Sequence, residues 1–191
     1  MGKLILVLGG ARSGKSSFAE QQAGNLGGDR ILYVATSETK DEEMRLRAEK
    51  HRASRPQAWK TLEAPRNAAR AIRESDRQQP VILLDCMTVL VANYLLEAAG
   101  PEEDPFGALS ADPFDPDIEK QVLGEVEALL ALVSEDDVTL FVVSNEVGMG
   151  LVPPYELGRA YRDLLGRVNQ VLAKQAGEVY FLVAGIPMQL K

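Results

Sequence analysis

Residues 3–26 read KLILVLGGARSGKSSFAEQQAGNL, and the fold turns on this stretch. Lys3 to Leu8 is a short apolar run of the kind a fully buried strand presents. It ends at Gly9-Gly10-Ala11-Arg12-Ser13-Gly14-Lys15-Ser16, which satisfies G-x-x-x-x-G-K-[ST] at every fixed position. Ser16 to Leu26 continues as a helix, closed by Gly27-Gly28. Strand, glycine-rich turn and helix in that order distinguish a phosphate-binding P-loop from a chance Gly-rich turn. The glycines let consecutive backbone N–H groups face phosphate oxygens, and the helix N-terminus adds the positive end of its dipole. Lys15 brings a point charge to the β- and γ-phosphates, and the Ser16 hydroxyl can ligate Mg²⁺.

Outward from this unit the chain alternates strands and helices. Arg30 to Ala35 (RILYVA), Val81 to Asp85 (VILLD), Val138 to Ser144 (VTLFVVS) and Glu178 to Ala184 read as buried strands, with a short extra strand near Met188. Between them lie predicted helices. One opens at the capping box of Thr39 and Glu42 and runs to about Ala53, with Asp41, Glu42 and Glu43 suiting its N-terminal dipole. Others cover Pro65 to Ser75 and Thr88 to Ala99. A further helix carries Ile118, Val122, Val126, Leu129, Leu130 and Val133, and the last carries Leu157, Tyr161, Leu164, Val168 and Leu172. Gly100 to Pro116, with four prolines and two glycines, is a loop or insertion. Apolar strands alternating with helices predict an α/β fold whose mostly parallel sheet is covered on both faces. At 191 residues the expectation is one domain spanning residues 1–191.

Bulk properties exclude several classes. The net charge of −7 argues against nucleic acid as the partner, because such binders carry a broad basic face. Cys86 is the only cysteine, which excludes an internal disulfide and a cysteine-based zinc site. No apolar run approaches the ~20 residues of a membrane span, and the chain enters a strand without a signal peptide. These features predict a cytoplasmic protein.

Two sites of chemistry stand out beyond the P-loop. A magnesium-organising acid is expected at the end of another strand, and Asp85 is the candidate; an N-cap for the next helix is its other reading. Cys86 beside it reads as a small buried hydrophobe. Met44 to Pro56 (MRLRAEKHRASRP) places five cations around His51, the only histidine. On a helix Met44, Arg47, Ala48 and His51 share a face. Nearby cations keep an imidazole neutral and nucleophilic, and would stabilise an arriving phosphate. From composition alone the segment better fits a solvated basic helix face, the commoner use of a charge run. Glu146, before Gly148 and Gly150, reads either as a residue lining the site or as an acid in a turn.

The linked motifs GGARSGKS, YVATS (Tyr33 to Ser37), MRLRAEKHRASRPQAW (Met44 to Trp59), LLDCMT (Leu83 to Thr88), SNEVGMGLVP (Ser144 to Pro153), GRAYRDLLGRVNQ (Gly158 to Gln170) and VAGIPMQLK (Val183 to Lys191) run through nearly the whole chain. Together they resemble the bifunctional adenosylcobinamide kinase/adenosylcobinamide-phosphate guanylyltransferase family of cobalamin biosynthesis. Gly100 to Pro116 is the weak region, similar to a variable insertion. The resemblance implies a RecA-like, three-layer P-loop core and a homotrimer. It also implies two reactions: phosphorylation of adenosylcobinamide from ATP or GTP, then transfer of GMP from GTP onto that phosphate, releasing pyrophosphate. The family's H-R-x-x-R-P histidine, which becomes guanylylated, falls on His51, and this implication moves His51 from the surface reading to the nucleophilic one. By the same resemblance Thr36, Ser37, Arg52, Ala53, Ser54, Arg55, Glu63 and Asp85 join Gly9, Gly10, Ala11, Arg12, Ser13, Gly14, Lys15 and Ser16 in the nucleotide site. Ser16 and Asp85 are its Mg²⁺ ligands. Two other readings compete: a P-loop kinase without nucleotidyl transfer, and a GTP-dependent switch or binding module.

Overall fold

A computed structural model describes residues 2–37, 55–75, 78–100 and 112–191. The described elements are β1 (Lys3–Gly9), α1 (Lys15–Gly27), β2 (Ile31–Ala35), β3 (Lys60–Glu63), α2 (Ala68–Glu74), β4 (Val81–Asp85), α3 (Met87–Ala99), α4 (Pro116–Glu135), β5 (Thr139–Asn145), α5 (Glu156–Gln175), β6 (Glu178–Val183) and β7 (Ile186–Gln189). The strands form one seven-stranded sheet in the order β3-β2-β4-β5-β1-β6-β7. All pairings are parallel except β6 with β7, which is antiparallel. The predicted α/β class with a mostly parallel sheet is what the chain adopts.

Side chains alternate across each strand, so β1 feeds two cores. Leu4, Leu6 and Leu8 face a large cluster with α2, α3, α4 and α5. Ile5 and Val7 face a smaller cluster with Ala19 and Ala23 of α1 and with Trp59. Three layers follow directly: helices, sheet, helix. Leu6 and Val7 are wholly buried, each worth roughly 1.5–3 kcal/mol of apolar transfer. Such double-sided burial is why the central strands read as unbroken apolar runs.

Three differences from the sequence reading have physical causes. β3 went unforeseen because Lys60-Thr61-Leu62-Glu63 is only four residues long and, at the sheet edge, half exposed; its apolar content is one leucine. α2 starts at Ala68 rather than Pro65, after Asn67 in the left-handed region at φ 49°. α4 begins at Pro116, with Asp115 Oδ1 accepting from Asp117 N at 2.9 Å. Here proline takes the first helical position, where its missing N–H costs nothing. The extra strand near Met188 is β7. The predicted helix from Thr39 to Ala53 and residues 101–111 of the Gly100–Pro116 insertion lie outside the described residues.

No helix among the described residues is long and apolar enough to cross a membrane.

Candidate active site

The P-loop joins β1, which lies between β5 and β6 in the sheet, to α1. Its path needs glycine at two positions. Gly9 has φ 155°, and a Cβ there would lie 2.6 Å from the Leu182 carbonyl oxygen. Gly14, at φ 93°, turns the chain into α1. Arg12, which is exposed, takes the left-handed conformation at φ 57°. The loop is tied at both sides: Ser13 N donates to the Gly10 carbonyl at 3.3 Å, and Gly185 N, in the β6–β7 turn, donates to the Ser13 carbonyl at 2.9 Å.

Two polar groups within this loop have chemistry to offer. Lys15 is only 7% exposed, and its Nζ donates to the Gly10 carbonyl at 2.6 Å. Burial lowers its pKa from 10.5, an effect opposed by the neighbouring Cys86 and Asp85. A phosphate would supply this buried ammonium with an anion in direct contact. The Ser13 hydroxyl is buried with no hydrogen-bond partner among the described residues, and a phosphate oxygen at the loop would satisfy it. Gly10 and Ala11 complete the loop, and Ser16, the second residue of α1, is half-buried.

A second group of residues lies along the same carboxyl edge of the sheet. Strand register puts Glu63, Ala35, Asp85 and Val143 in one row, with Val143 beside Val7 of β1. Asp85 therefore closes β4 two strands from the P-loop strand. The helix after it is capped by Cys86, without a side-chain cap, so Asp85 does not serve as its N-cap. Instead its Oδ2 accepts a 2.9 Å hydrogen bond from the Tyr33 hydroxyl. The donor set fits Mg²⁺: a hydroxyl on the P-loop helix and a carboxylate two strands away, few protein ligands being needed when phosphates and water complete the shell. Among the described residues no three His, Cys, Asp or Glu side chains form a metal-holding group. Burial, reinforced by the charge of Asp85, pushes the Cys86 thiol up to about 11. Cys86 is thus an unreactive thiol at neutral pH.

The residues placed by resemblance differ in what they are free to do. Thr36 is fully buried. Its hydroxyl donates to the Cys86 carbonyl at 2.8 Å and accepts from Cys86 N at 2.9 Å, so it welds the end of β2 to the β4–α3 turn. Asn93 of α3 closes the same corner by donating to the Thr36 and Pro65 carbonyls, each at 2.9 Å. Ser37 and Glu63 are exposed. Arg55 is turned inward: its guanidinium carbon stands 3.4 Å from the centre of the Tyr33 ring. His51, Arg52, Ala53 and Ser54 lie outside the described residues, as do Met44, Arg47 and Ala48.

Glu146 follows the last residue of β5. Its backbone N donates to the Gly9 carbonyl at 3.1 Å, and Oε1 accepts from Gly148 N at 2.6 Å. It is an acid in a turn, and the turn abuts the P-loop. Arg162 of α5 donates to the Gly148 carbonyl from one nitrogen, while its Nη1 is buried with no hydrogen-bond partner among the described residues.

Sequence reasoning missed Tyr33, Glu20 and Asn93. A signal existed for Tyr33 alone. A phenol within the aliphatic run ILYVA must find a buried partner for its hydroxyl, and the nearest carboxylate at the edge is Asp85.

Comparison with known proteins places this geometry. Residues 5–190 match the family described as cobinamide kinase / cobinamide phosphate guanyltransferase. The bifunctional adenosylcobalamin biosynthesis protein CobU of Escherichia coli is 40% identical over 189 residues, covering 98% of this chain and 99% of its own. The protein of that name from Salmonella typhimurium is 41% identical, with the same coverage. Among solved structures, one of an ATPase domain is similar in fold, with a TM-score of 0.52 and 15% identity over 95% of this chain and 69% of that one.

Proposed function

The chain belongs to the cobinamide kinase / cobinamide phosphate guanyltransferase family, and from that premise we propose how one nucleotide site serves both transfers. The enzyme is a bifunctional kinase and guanylyltransferase of cobalamin biosynthesis. The observation that carries the reading is the family match over 5–190 on a chain whose P-loop holds a buried lysine, its ammonium bonded to a loop carbonyl.

In the kinase step the aminopropanol hydroxyl of adenosylcobinamide attacks the γ-phosphorus of ATP or GTP. The P-loop N–H groups of Gly9 to Ser16 and the Lys15 ammonium hold the β- and γ-phosphates while negative charge moves onto the leaving nucleoside diphosphate. In the guanylyl step a neutral His51 nitrogen attacks the α-phosphorus of GTP. The N–P bond forms, the bond to the β-phosphate oxygen breaks, and pyrophosphate departs. An oxygen of adenosylcobinamide phosphate then attacks the same phosphorus and releases His51, giving adenosylcobinamide-GDP. Splitting the transfer at histidine replaces one difficult displacement with two easier ones. Arg52 and Arg55, bracketing Ala53 and Ser54, supply positive charge to that half-reaction, and Thr36, Ser37 and Glu63 form the rim on the nucleotide's side. Bound Mg²⁺, held by Ser16 and Asp85, neutralises phosphate charge.

The reading extends to a cytoplasmic homotrimer, the assembly the family resemblance implies. Light scattering of the purified chain tests it: a mass near three chains supports it, and a monomer removes it.

The activity has a direct test. Purified protein, given MgATP and adenosylcobinamide, converts the acceptor to its phosphate; adding GTP then releases one pyrophosphate per adenosylcobinamide-GDP. Phosphorylation without pyrophosphate would leave a simple kinase, and GTP hydrolysis without either product would leave a switch.

A further inference from the structure

Four side chains from separate parts of the sequence meet beside the carboxyl edge of β2 and β4. Tyr33, 4% exposed, is the hub. Its hydroxyl donates to Asp85 Oδ2 at 2.9 Å, and its ring lies under the Arg55 guanidinium at 3.4 Å. Arg55 in turn points Nε at Glu20 Oε1, 3.8 Å away, with the two side chains 8% and 19% exposed. Glu20 lies on α1, whose first turn carries Lys15 and Ser16. Glu20 Oε1 is buried with no hydrogen-bond partner among the described residues, so the ion pair is its chief compensation.

The arrangement has a mechanical consequence. Asp85 at the end of a strand has two free χ angles, yet a cation beside the phosphates requires one carboxylate orientation. The Tyr33 hydroxyl fixes Oδ2, and Tyr33 itself is pinned by packing and by the cation above its ring. Arg55 is held in place by Tyr33 and Glu20 together. A planar guanidinium suits this post, since it can stack on a ring while presenting an N–H edge to a carboxylate.

We propose that Tyr33, Arg55 and Glu20 form a positioning assembly that orients Asp85 toward the cation of the bound nucleotide. Tyr33 and Glu20 are positioning residues, since they act through Asp85 and Arg55. The inference rests on the reading of Asp85 as the acid that serves the nucleotide's Mg²⁺. Arg55 is then a structural tie as well as a charge for the nucleotide. The buried carboxylate of Glu20 fits the same picture: burial and the charge of Asp85 raise its pKa, while Arg55 lowers it.

Thermal unfolding of the full chain with a non-hydrolysable GTP analogue, titrated with Mg²⁺ from an EDTA baseline, tests the assembly without relying on turnover. In Tyr33→Phe the ring stays under Arg55 but the hydrogen bond to Asp85 is lost. The Mg²⁺ concentration giving half of the added stabilisation is expected to rise about fivefold, the scale of one ordinary hydrogen bond lost. The analogue's effect in EDTA should hold. Kinase rates should show the same split, with a deficit at low Mg²⁺ that recovers at high Mg²⁺. Glu20→Gln, which keeps the side chain's shape, is expected to shift the midpoint in the same direction by about twofold. It carries the test alone if Tyr33→Phe does not fold. A midpoint equal to wild type in these variants overturns the assembly. Failure of the nucleotide-site reading looks different: the wild-type chain would then gain no stability from the analogue or from Mg²⁺.

Discussion

The P-loop and the Tyr33–Arg55 corner sit on the same sheet edge but are built from different material. At Gly9 to Ser16 the working groups are mainly backbone, shaped by two glycines at positive φ and fastened by a main-chain hydrogen bond to the β6–β7 turn. At the corner the working groups are side chains from α1, β2, β4 and the stretch before β3, joined through one tyrosine. A backbone site is local in sequence and tolerates changes at its variable positions. A side-chain site is spread over the sequence and depends on each member. The two should therefore fail differently, the first by loss of phosphate binding and the second by loss of orientation.

The largest break should come from the one essential side chain of the backbone site. Lys15→Met is expected to lower kinase turnover on the order of 10²–10³-fold, the cost of a lost charge-stabilising donor. The free chain should be no less stable at neutral pH. Burial holds the Lys15 pKa below 10.5, so its charge opposes folding. In wild type that penalty is full below the lowered folded pKa and disappears as pH rises to the unfolded value of 10.5. Melting curves of both chains from pH 7 upward should converge as that value is approached.

Thr36→Val attacks the corner. It orphans the Cys86 N–H that the hydroxyl now serves at 2.9 Å, while the Cys86 carbonyl loses the 2.8 Å bond from Thr36 but keeps its 3.2 Å bond from Leu90 N. Each buried group left unmatched costs about 1–3 kcal/mol. A fall in Tm of roughly 2–12 °C is expected for a chain of this size. Gly14→Ala returns to the loop: at φ 93° the strain is about 1–2 kcal/mol, and the new Cβ would lie 3.4 Å from the Gly185 Cα. Nucleotide affinity should fall more than Tm, which calorimetry can separate. Smallest is Glu20→Gln measured for stability alone. Because the Glu20 pKa is raised above 4.5, the folded state favours the protonated acid, and wild-type stability declines as pH rises from 4.5 through the raised value. The glutamine variant should match wild type at low pH and gain about 1–2 °C above that window.

The same difference explains what could be read from sequence. The P-loop was legible because its chemistry lies in eight consecutive residues with fixed spacing. The sheet was legible because strands buried on both faces read as apolar runs; β3, exposed at the edge, gave no such run. Asp85 was legible as the acid closing VILLD, and its tie to Tyr33 rules out the helix-cap alternative. Thr36 was named through resemblance, yet its hydroxyl is committed to Cys86, which no motif states. Glu20 was invisible: an acid on an exposed-looking helix becomes half-buried only once β2 and Arg55 are packed against α1. Contacts between positions 20, 33, 55 and 85 belong to the tertiary fold, and spacing cannot reveal them.

In the proposed mechanism the phosphate cradle and His51 act on one GTP, with histidine taking the guanylyl group. The direct measurement is incubation with Mg²⁺ and α-labelled GTP, followed by denaturing separation and treatment of the labelled chain with acid or base. The expected result is label on the wild-type chain that is lost in acid, survives base, and is missing from His51→Ala. No label on wild type, or label that persists in His51→Ala, would contradict it.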